Sequence, residues 1–337
     1  MILAGDIGGT KTILALFSRE QGVRYPLREQ RFPSSEYTSL ESIISAFLAD
    51  IDERPTAASF GVAGPVVNRK AHLTNLPWII DADGIAQAFA IPEVHLLNDL
   101  QAIATSVPHL ASDDIYTLNT GQANPGGTIA VVAAGTGLGE AFLVWTGIRY
   151  QAYPTEGGHT SFAPVTHEQL QLLDYLQPRF GRVSFERVCS GSGIPNLYDY
   201  LSNRAQYEKP DWLRQALSEA EDPTPVIVNT ALSRKAQICV ATLDLFAHIL
   251  AGVVGDMALK VFATGGVYLG GGIPPRILPR LQKQDFLDAV THKGRFRHWV
   301  AQIPIHVILN PNAALHGAAW HGFQTWEQGT QSPAAIP

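Results

Sequence analysis

A chain of 337 residues with 46% hydrophobic and 16% charged side chains holds enough apolar material for two cores of ordinary size, so two domains are expected. Its 30 Asp and Glu against 24 Lys and Arg leave a formal charge of -6 without any basic run, which argues against a nucleic-acid partner and leaves an anionic ligand to backbone N–H groups, helix N-termini and a metal ion. Two cysteines, Cys189 and Cys239, exclude a disulfide framework and a four-thiolate zinc site; without a signal-like start or an apolar run near the ~18 residues of a membrane span, the expectation is a soluble, cytoplasmic protein off the membrane.

Ile2 to Gly5 and Ile13 to Phe17 are apolar runs flanking Asp6-Ile7-Gly8-Gly9-Thr10, which predicts a hairpin with a glycine-rich turn. Thr38 and Glu41 have capping-box spacing, and Leu40, Ile43, Ile44, Phe47, Leu48 and Ile51 recur as one face of an amphipathic helix. Ala57 to Ala63 reads as a strand ending in Gly64-Pro65, Val94 to Leu97 as another, and Leu100 to about Val107 as a helix. Alternating strands and helices place the chain in the α/β class.

The opening pattern then returns. Ile129 to Ala134 is an apolar strand, Gly135-Thr136-Gly137-Leu138-Gly139 a glycine-rich turn, and Ala141 to Trp145 the next strand. Duplication of one structural unit and chance recurrence both account for this. Helical periodicity follows near Glu168 to Phe180, Asp211 to Glu219 and Val226 to Phe262, the last too long for one uninterrupted helix, with Gly252 and Gly255 marking a break or a packed crossing. Asn203 to Pro225 reads as a polar surface excursion, and a strand at Val267 to Leu269 enters Gly270-Gly271-Gly272. Gln328 to Pro337 reads as a disordered tail.

Several of these segments carry chemistry. In Asp6-Ile7-Gly8-Gly9-Thr10 a carboxylate at a strand end precedes two residues free of Cβ, so N–H groups can approach phosphate oxygens while the acid holds a magnesium ion, directly or through water. Gly135 to Gly139 is a second turn of that kind, and a triphosphate needs a clamp from both sides. Asn98-Asp99 stands where a strand meets a helix; Asp99 is either an N-cap or a base for a substrate hydroxyl. Glu156-Gly157-Gly158-His159 suits a polyol or an ordinary turn, and Glu186 is by itself most simply a solvated carboxylate. Gly270 to Gly272 brings backbone close to something flat, an adenine or another helix. His316 and His321, five apart, share no helical face, so no metal is assigned to them.

Taken in order, these segments resemble the bacterial glucokinase family, a branch of the hexokinase and actin-like ATPase superfamily. The resemblance runs from Leu3 to about Ala319 and rests on Leu3-Ala4-Gly5-Asp6-Ile7-Gly8-Gly9-Thr10, Gly61-Val62-Ala63-Gly64-Pro65, Thr74-Asn75-Leu76-Pro77-Trp78, Leu96-Leu97-Asn98-Asp99, Ala133 to Gly139, Glu156-Gly157-Gly158-His159, Glu186-Arg187-Val188-Cys189-Ser190-Gly191 and Gly270-Gly271-Gly272-Ile273. It implies two ribonuclease-H-like domains with an interdomain cleft: a small domain of 1–109 plus 313–328 and a large one of 110–312, with 329–337 as a tail. The final helix, near Asn312 to Trp326, would return to the small domain.

The resemblance further implies an ATP-dependent transfer to the 6-hydroxyl of glucose. Asp99 falls on the family's catalytic base, and Asn98, Glu156, His159 and Glu186 on its sugar ligands. Asp6, Gly8, Gly9, Thr10, Lys11, Thr136, Gly137, Ser190, Gly191, Gly271 and Gly272 fall on the nucleotide side, with Asp6 toward Mg2+. A homodimer is expected. For the base, a carboxylate of ordinary pKa suffices, because the hydroxyl proton leaves late in a loose transition state. Lys11 is a departure: glucokinases often carry a neutral residue there, and the related repressor, open reading frame and kinase family a lysine, but that family's cysteine-rich zinc site cannot be built from two separated cysteines. A kinase for mannose, fructose or an N-acetyl hexosamine, and a catalytically silent sugar-binding relative, stay open as alternatives.

Overall fold

The strands and helices follow from where apolar residues recur. The structure, a computed structural model, describes residues 1–73 and 76–331, the last five as backbone alone; Thr74 and Asn75 of the sequence motif and 332–337 of the expected tail lie outside the described residues. The chain divides into two units, one built from Met1–Leu110, Tyr150–Pro154 and the segment from Asn310 onward, the other from Ala111–Arg149 and Thr155–Leu309.

In the first unit the strands Arg28–Pro33, Lys11–Phe17, Ile2–Ile7, Ala57–Val62 and Glu93–Asn98 form one sheet in that order. Ile2–Ile7 pairs antiparallel with Lys11–Phe17, closing the expected hairpin, and parallel with Ala57–Val62, which is parallel to Glu93–Asn98. The inner strands are buried on both sides and so read as continuous apolar runs. On one face lies the helix Leu40–Leu48, whose Leu40, Ile43, Ile44, Phe47 and Leu48 are all buried. Its capping box is one residue later than the sequence suggested: Ser39 is the N-cap and exchanges side-chain bonds with Ser42, in place of Thr38 and Glu41. This start makes Leu40 the first helical residue and puts it on the buried face.

On the other face lies the C-terminal helix Ala313–Gln331, with Leu315, Ala318, Ala319 and Phe323 against Ile2, Ala4, Ile13, Ala15 and Phe17. It runs beyond the expected end at Trp326, through residues assigned to the tail. It also packs along the helix Asp99–Ser106, and Gly317 is what permits the approach, since a Cβ there would overlap the Ala102 carbonyl and stand 3.1 Å from the Ser106 nitrogen. From the sheet side the same helix rests on Gly61, where a Cβ would lie 2.9 Å from that of Ala102. The helix that begins at Asp99 is therefore gripped through Ala102 from both sides.

In the second unit's sheet, Leu138–Trp145, Ile129–Ala134, Gly266–Gly270, Ile305–Ile308 and Ile115–Asn119 lie in that order. An antiparallel hairpin again feeds two parallel strands from its first member. The two glycine-rich turns thus occupy equivalent topological positions, which favours duplication over chance.

The long segment Val226 to Phe262 is split, though not at its glycines. Pro223–Leu232 ends in a turn with Arg234 left-handed at φ 55°, and Gln237–Lys260 runs unbroken through Gly252 and Gly255. Gly255 marks a packed crossing, since a Cβ there would overlap the Val290 carbonyl at the end of the helix Gln284–Val290. Contrary to the expectation of no membrane-length apolar run, the 24-residue helix Gln237–Lys260 is one, with a window of mean hydropathy 2.0. It is apolar all round because the helices Ile194–Ser202, Pro223–Leu232 and Gln284–Val290 pack against it, and 72% of that window is buried.

Candidate active site

The first unit brings Asp6 and Asp99 to the same end of its sheet. Asp6 lies opposite Gly61 in register, Gly61 lies opposite Leu97, and Asp99 follows Asn98 at the end of the next parallel strand. Carboxyl ends of parallel strands are where open α/β sheets place their ligands. Burial raises the Asp6 carboxyl above its ordinary value and Lys11 draws it partly back. Asp99 is pushed up to about 6, chiefly by burial; the Asp6 charge adds to the rise, while the Leu100 N–H and Asn98 oppose it. Asp99 is therefore not the carboxylate of ordinary pKa that the chain order suggests, because its burial beside Asp6 comes from the fold.

Asn98 is the N-cap of the helix Asp99–Ser106. Its Oδ1 accepts from the Leu100 N–H at 2.9 Å, and its Nδ2 donates to the Gly64 carbonyl at 3.2 Å. The Asp99 Oδ1 accepts from the same Leu100 N–H at 2.8 Å. The capping task is thus shared with Asn98, and the other Asp99 oxygen is not spent on it. In the first glycine turn the Gly8 N–H donates to the Lys11 carbonyl at 3.0 Å, while Gly9 is half-buried and Thr10 and Lys11 are exposed.

The second unit gathers its candidates around the second turn. The Gly135 N–H donates to the Gly137 carbonyl at 2.9 Å, the Gly191 N–H to the Gly135 carbonyl at 2.7 Å, and the Ser192 N–H to the Thr136 carbonyl at 3.1 Å. The Ser190–Ser192 segment is therefore laced to the turn by backbone. Gly191 has to be glycine for this, since a Cβ would stand 2.9 Å from the Gly135 carbonyl oxygen. The Ser190 side chain is fully buried and turned inward, with its Oγ donating to the Glu186 carbonyl at 2.6 Å. Thr224, absent from every motif, donates through Oγ1 to the Gly191 carbonyl at 2.9 Å. Gly271, left-handed at φ 83°, lies against Ala134 at the end of the strand that enters the turn, and Gly272 has open space beside it.

Glu186 is not the solvated helix carboxylate that its position in sequence suggested. It sits in the short turn Phe185–Arg187, and its Oε2 accepts from the N–H of Leu138, in the glycine-rich segment where the strand Leu138–Trp145 begins, at 3.1 Å. Its Oε1 lies 3.8 Å from His159 Nδ1, and His159 Nε2 lies 3.8 Å from Glu156 Oε2. The imidazole is bracketed by two carboxylates, a cluster that offers acceptors and a donor to vicinal hydroxyls. A buried Glu140 carboxyl, raised above its ordinary value by burial, backs the neighbouring Gly157, where a Cβ would displace it. Glu140 and Thr224 were missed in the sequence because their partners are distant in the chain and no local pattern marks them.

Among the described residues no group of three or more His, Cys, Asp or Glu could hold a metal. A single buried carboxylate such as Asp6 still fits a magnesium ion that arrives with a nucleotide, since such an ion keeps most of its ligands as water and phosphate oxygen.

Two hairpin-fed sheets, each carrying a glycine-rich turn at an equivalent place, give the fold of the hexokinase-like sugar kinases. The family model described as Glucokinase matches residues 3–325, and the chain belongs to the glucokinase family. It is 39% identical to a glucokinase of Trichormus variabilis over 335 residues, covering 95% of this chain and 98% of the relative, and 40% identical to one of a Nostoc species with the same coverage. Among solved structures, a glucokinase from an Antarctic psychrotroph matches with a TM-score of 0.81 at 33% identity, over 96% of this chain and 98% of the other. A glucokinase of Streptomyces griseus from the repressor, open reading frame and kinase family, solved with glucose and AMPPNP, shares the fold with a TM-score of 0.61 at 18% identity.

Proposed function

We propose that this chain transfers the γ-phosphoryl group of ATP to the 6-hydroxyl of glucose, giving glucose 6-phosphate and ADP. The observation that carries the reading is Asp99: a carboxyl fixed at a strand end by the Leu100 N–H and pushed up to about 6, in a chain of the glucokinase family. Near neutral pH it is ionised yet basic enough to take the hydroxyl proton as the new P–O bond forms. Asn98 orients the same end of the sugar, and Glu156, His159 and Glu186 take hydroxyls of the anomeric end. Backbone N–H groups of the two glycine turns bind phosphate, with Thr136 and Gly137 in the second and Ser190, Gly191, Gly271 and Gly272 beside it. Asp6 would hold Mg2+, directly or through water, and Lys11 would add positive charge; the ion neutralises charge on the phosphates. A cytoplasmic location, a homodimer and a place in glycolysis belong to this reading and rest on the resemblance. A silent relative has no use for the Asp99 carboxylate, which is present.

A kinase for mannose, fructose or an N-acetyl hexosamine would share this machinery and differ at the sugar cluster. Glu156 and His159 are exposed without sugar, so the penalty arises where a bound sugar covers them: a covered group whose hydroxyl partner is moved is left unpaired, at about 1–3 kcal/mol per group. Glucose should therefore exceed mannose and N-acetylglucosamine by at least roughly tenfold in kcat/KM, and Glu156→Gln or His159→Ala should narrow that gap by harming glucose most. A steady-state comparison of the three sugars checks this. Ratios unchanged in both variants would make the Glu156 to His159 segment an ordinary turn.

A further inference from the structure

Ser34 opens the short turn Ser34–Glu36 that follows the edge strand Arg28–Pro33, and it is fully buried although it is a polar residue outside every recognised motif. Its Oγ donates to the Gly8 carbonyl at 2.8 Å and its N–H donates to the Thr10 carbonyl at 3.1 Å. Thr12 Oγ1, also fully buried, lies 3.0 Å from Ser34 Oγ. Because the Ser34 hydroxyl proton is committed to Gly8, the hydrogen between the two hydroxyls comes from Thr12. A directed chain results, from Thr12 to Ser34 to the Gly8 carbonyl.

The consequence follows from peptide geometry. No cis peptide bond occurs in the described chain, so a carbonyl and the N–H of the next residue point opposite ways across each planar unit. Pulling the Gly8 carbonyl toward Ser34 turns the Gly9 N–H away from Ser34. It also keeps a partially negative carbonyl oxygen from facing an incoming phosphate. A glycine pair left untied could flip this peptide at small cost, because neither residue has a Cβ to resist it. We infer that Ser34, seconded by Thr12, is a positioning residue for the nucleotide: it locks the Gly8–Gly9 peptide with its N–H toward the phosphates of ATP. The inference rests on reading the Asp6 to Thr10 turn as a phosphate site.

Steady-state kinetics on the full-length protein, varying MgATP and glucose separately, with ADP affinity from calorimetry, test it. Glucose-dependent ADP release by the wild type comes first; its absence would remove the kinase reading and the inference with it. Given that activity, Ser34→Ala should raise KM for MgATP and Kd for ADP about tenfold while KM for glucose stays within about twofold. Thr12→Val, which keeps the Ser34 donor, should raise the same two constants less, and Ser34→Thr, which keeps the hydroxyl, should restore them. Unchanged nucleotide constants in Ser34→Ala and Thr12→Val, or an equal rise for ATP and glucose, would overturn the inference and leave the kinase reading standing. Should Ser34→Ala not fold, Thr12→Val alone decides between these results.

Discussion

Replacing Asp99 with Asn should lower kcat by about 10²- to 10⁴-fold and leave the glucose KM nearly unchanged. Asn keeps the shape and can still accept from the Leu100 N–H, which Asp99 does at 2.8 Å, but it cannot take the hydroxyl proton. The pH profile adds an independent check. A carboxyl pushed up to about 6 is protonated below that value, so wild-type kcat/KM should fall as pH drops through about 6 rather than near the ordinary carboxylate range. The stability effect has the opposite sense. An acid whose folded pKa lies above its unfolded pKa binds its proton more tightly in the fold, so stability declines as pH rises from about 4 to about 6. At pH 8 the Asn variant should therefore melt at the same temperature as the wild type or higher, while nearly inactive. Near-normal turnover in Asp99→Asn would return Asp99 to a helix cap.

Gly317→Ala is expected to destabilise the protein by about 2–4 kcal/mol, through overpacking against backbone that cannot give way. The added methyl would fall on the Ala102 carbonyl and within 3.1 Å of the Ser106 nitrogen, and the helix Asp99–Ser106 cannot retreat because Gly61 holds Ala102 from the sheet side. Relief requires moving that helix, whose first residue is Asp99, so kcat should fall as well. Gly252→Ala serves as the control: it lies inside the helix Gln237–Lys260 with nothing beyond its chain neighbours and the helix's own backbone within 4 Å of the new methyl, and it should be neutral or slightly stabilising. Thermal melts of both variants with parallel turnover measurements decide this. A Gly317→Ala protein as stable and active as the Gly252→Ala protein would refute the account of how Asp99 is held.

What the sequence made legible was local. The hairpins around Asp6 to Thr10 and Gly135 to Gly139 were readable because apolar runs and glycine pairs mark strands and turns within a few residues. The helix Asp211–Glu219 and the strand Ile129–Ala134 fall on the expected residues for the same reason. Cap choice was less legible, since Thr38, Ser39, Glu41 and Ser42 offer two overlapping boxes and packing of Leu40 chose between them. The split between Pro223–Leu232 and Gln237–Lys260 carried no glycine or proline signal at Arg234, whereas Gly255, open in the sequence to either a break or a packed crossing, serves a crossing. The chemistry of the candidate site was legible as residue types but not as environments. The bond from Leu138 to Glu186 spans 48 residues, and that from Ser34 to Gly8 spans 26. Only the fold brings such groups together, and only burial beside Asp6 raises Asp99.

The central claim is most directly tested by following the γ-phosphoryl group itself. With MgATP and the purified protein, phosphorus NMR should show a phosphomonoester of glucose at C6 appearing in step with ADP, with neither formed when glucose is left out. ADP released at the same rate without sugar, or a phosphoryl group delivered to a different hexose while glucose stays untouched, would contradict it.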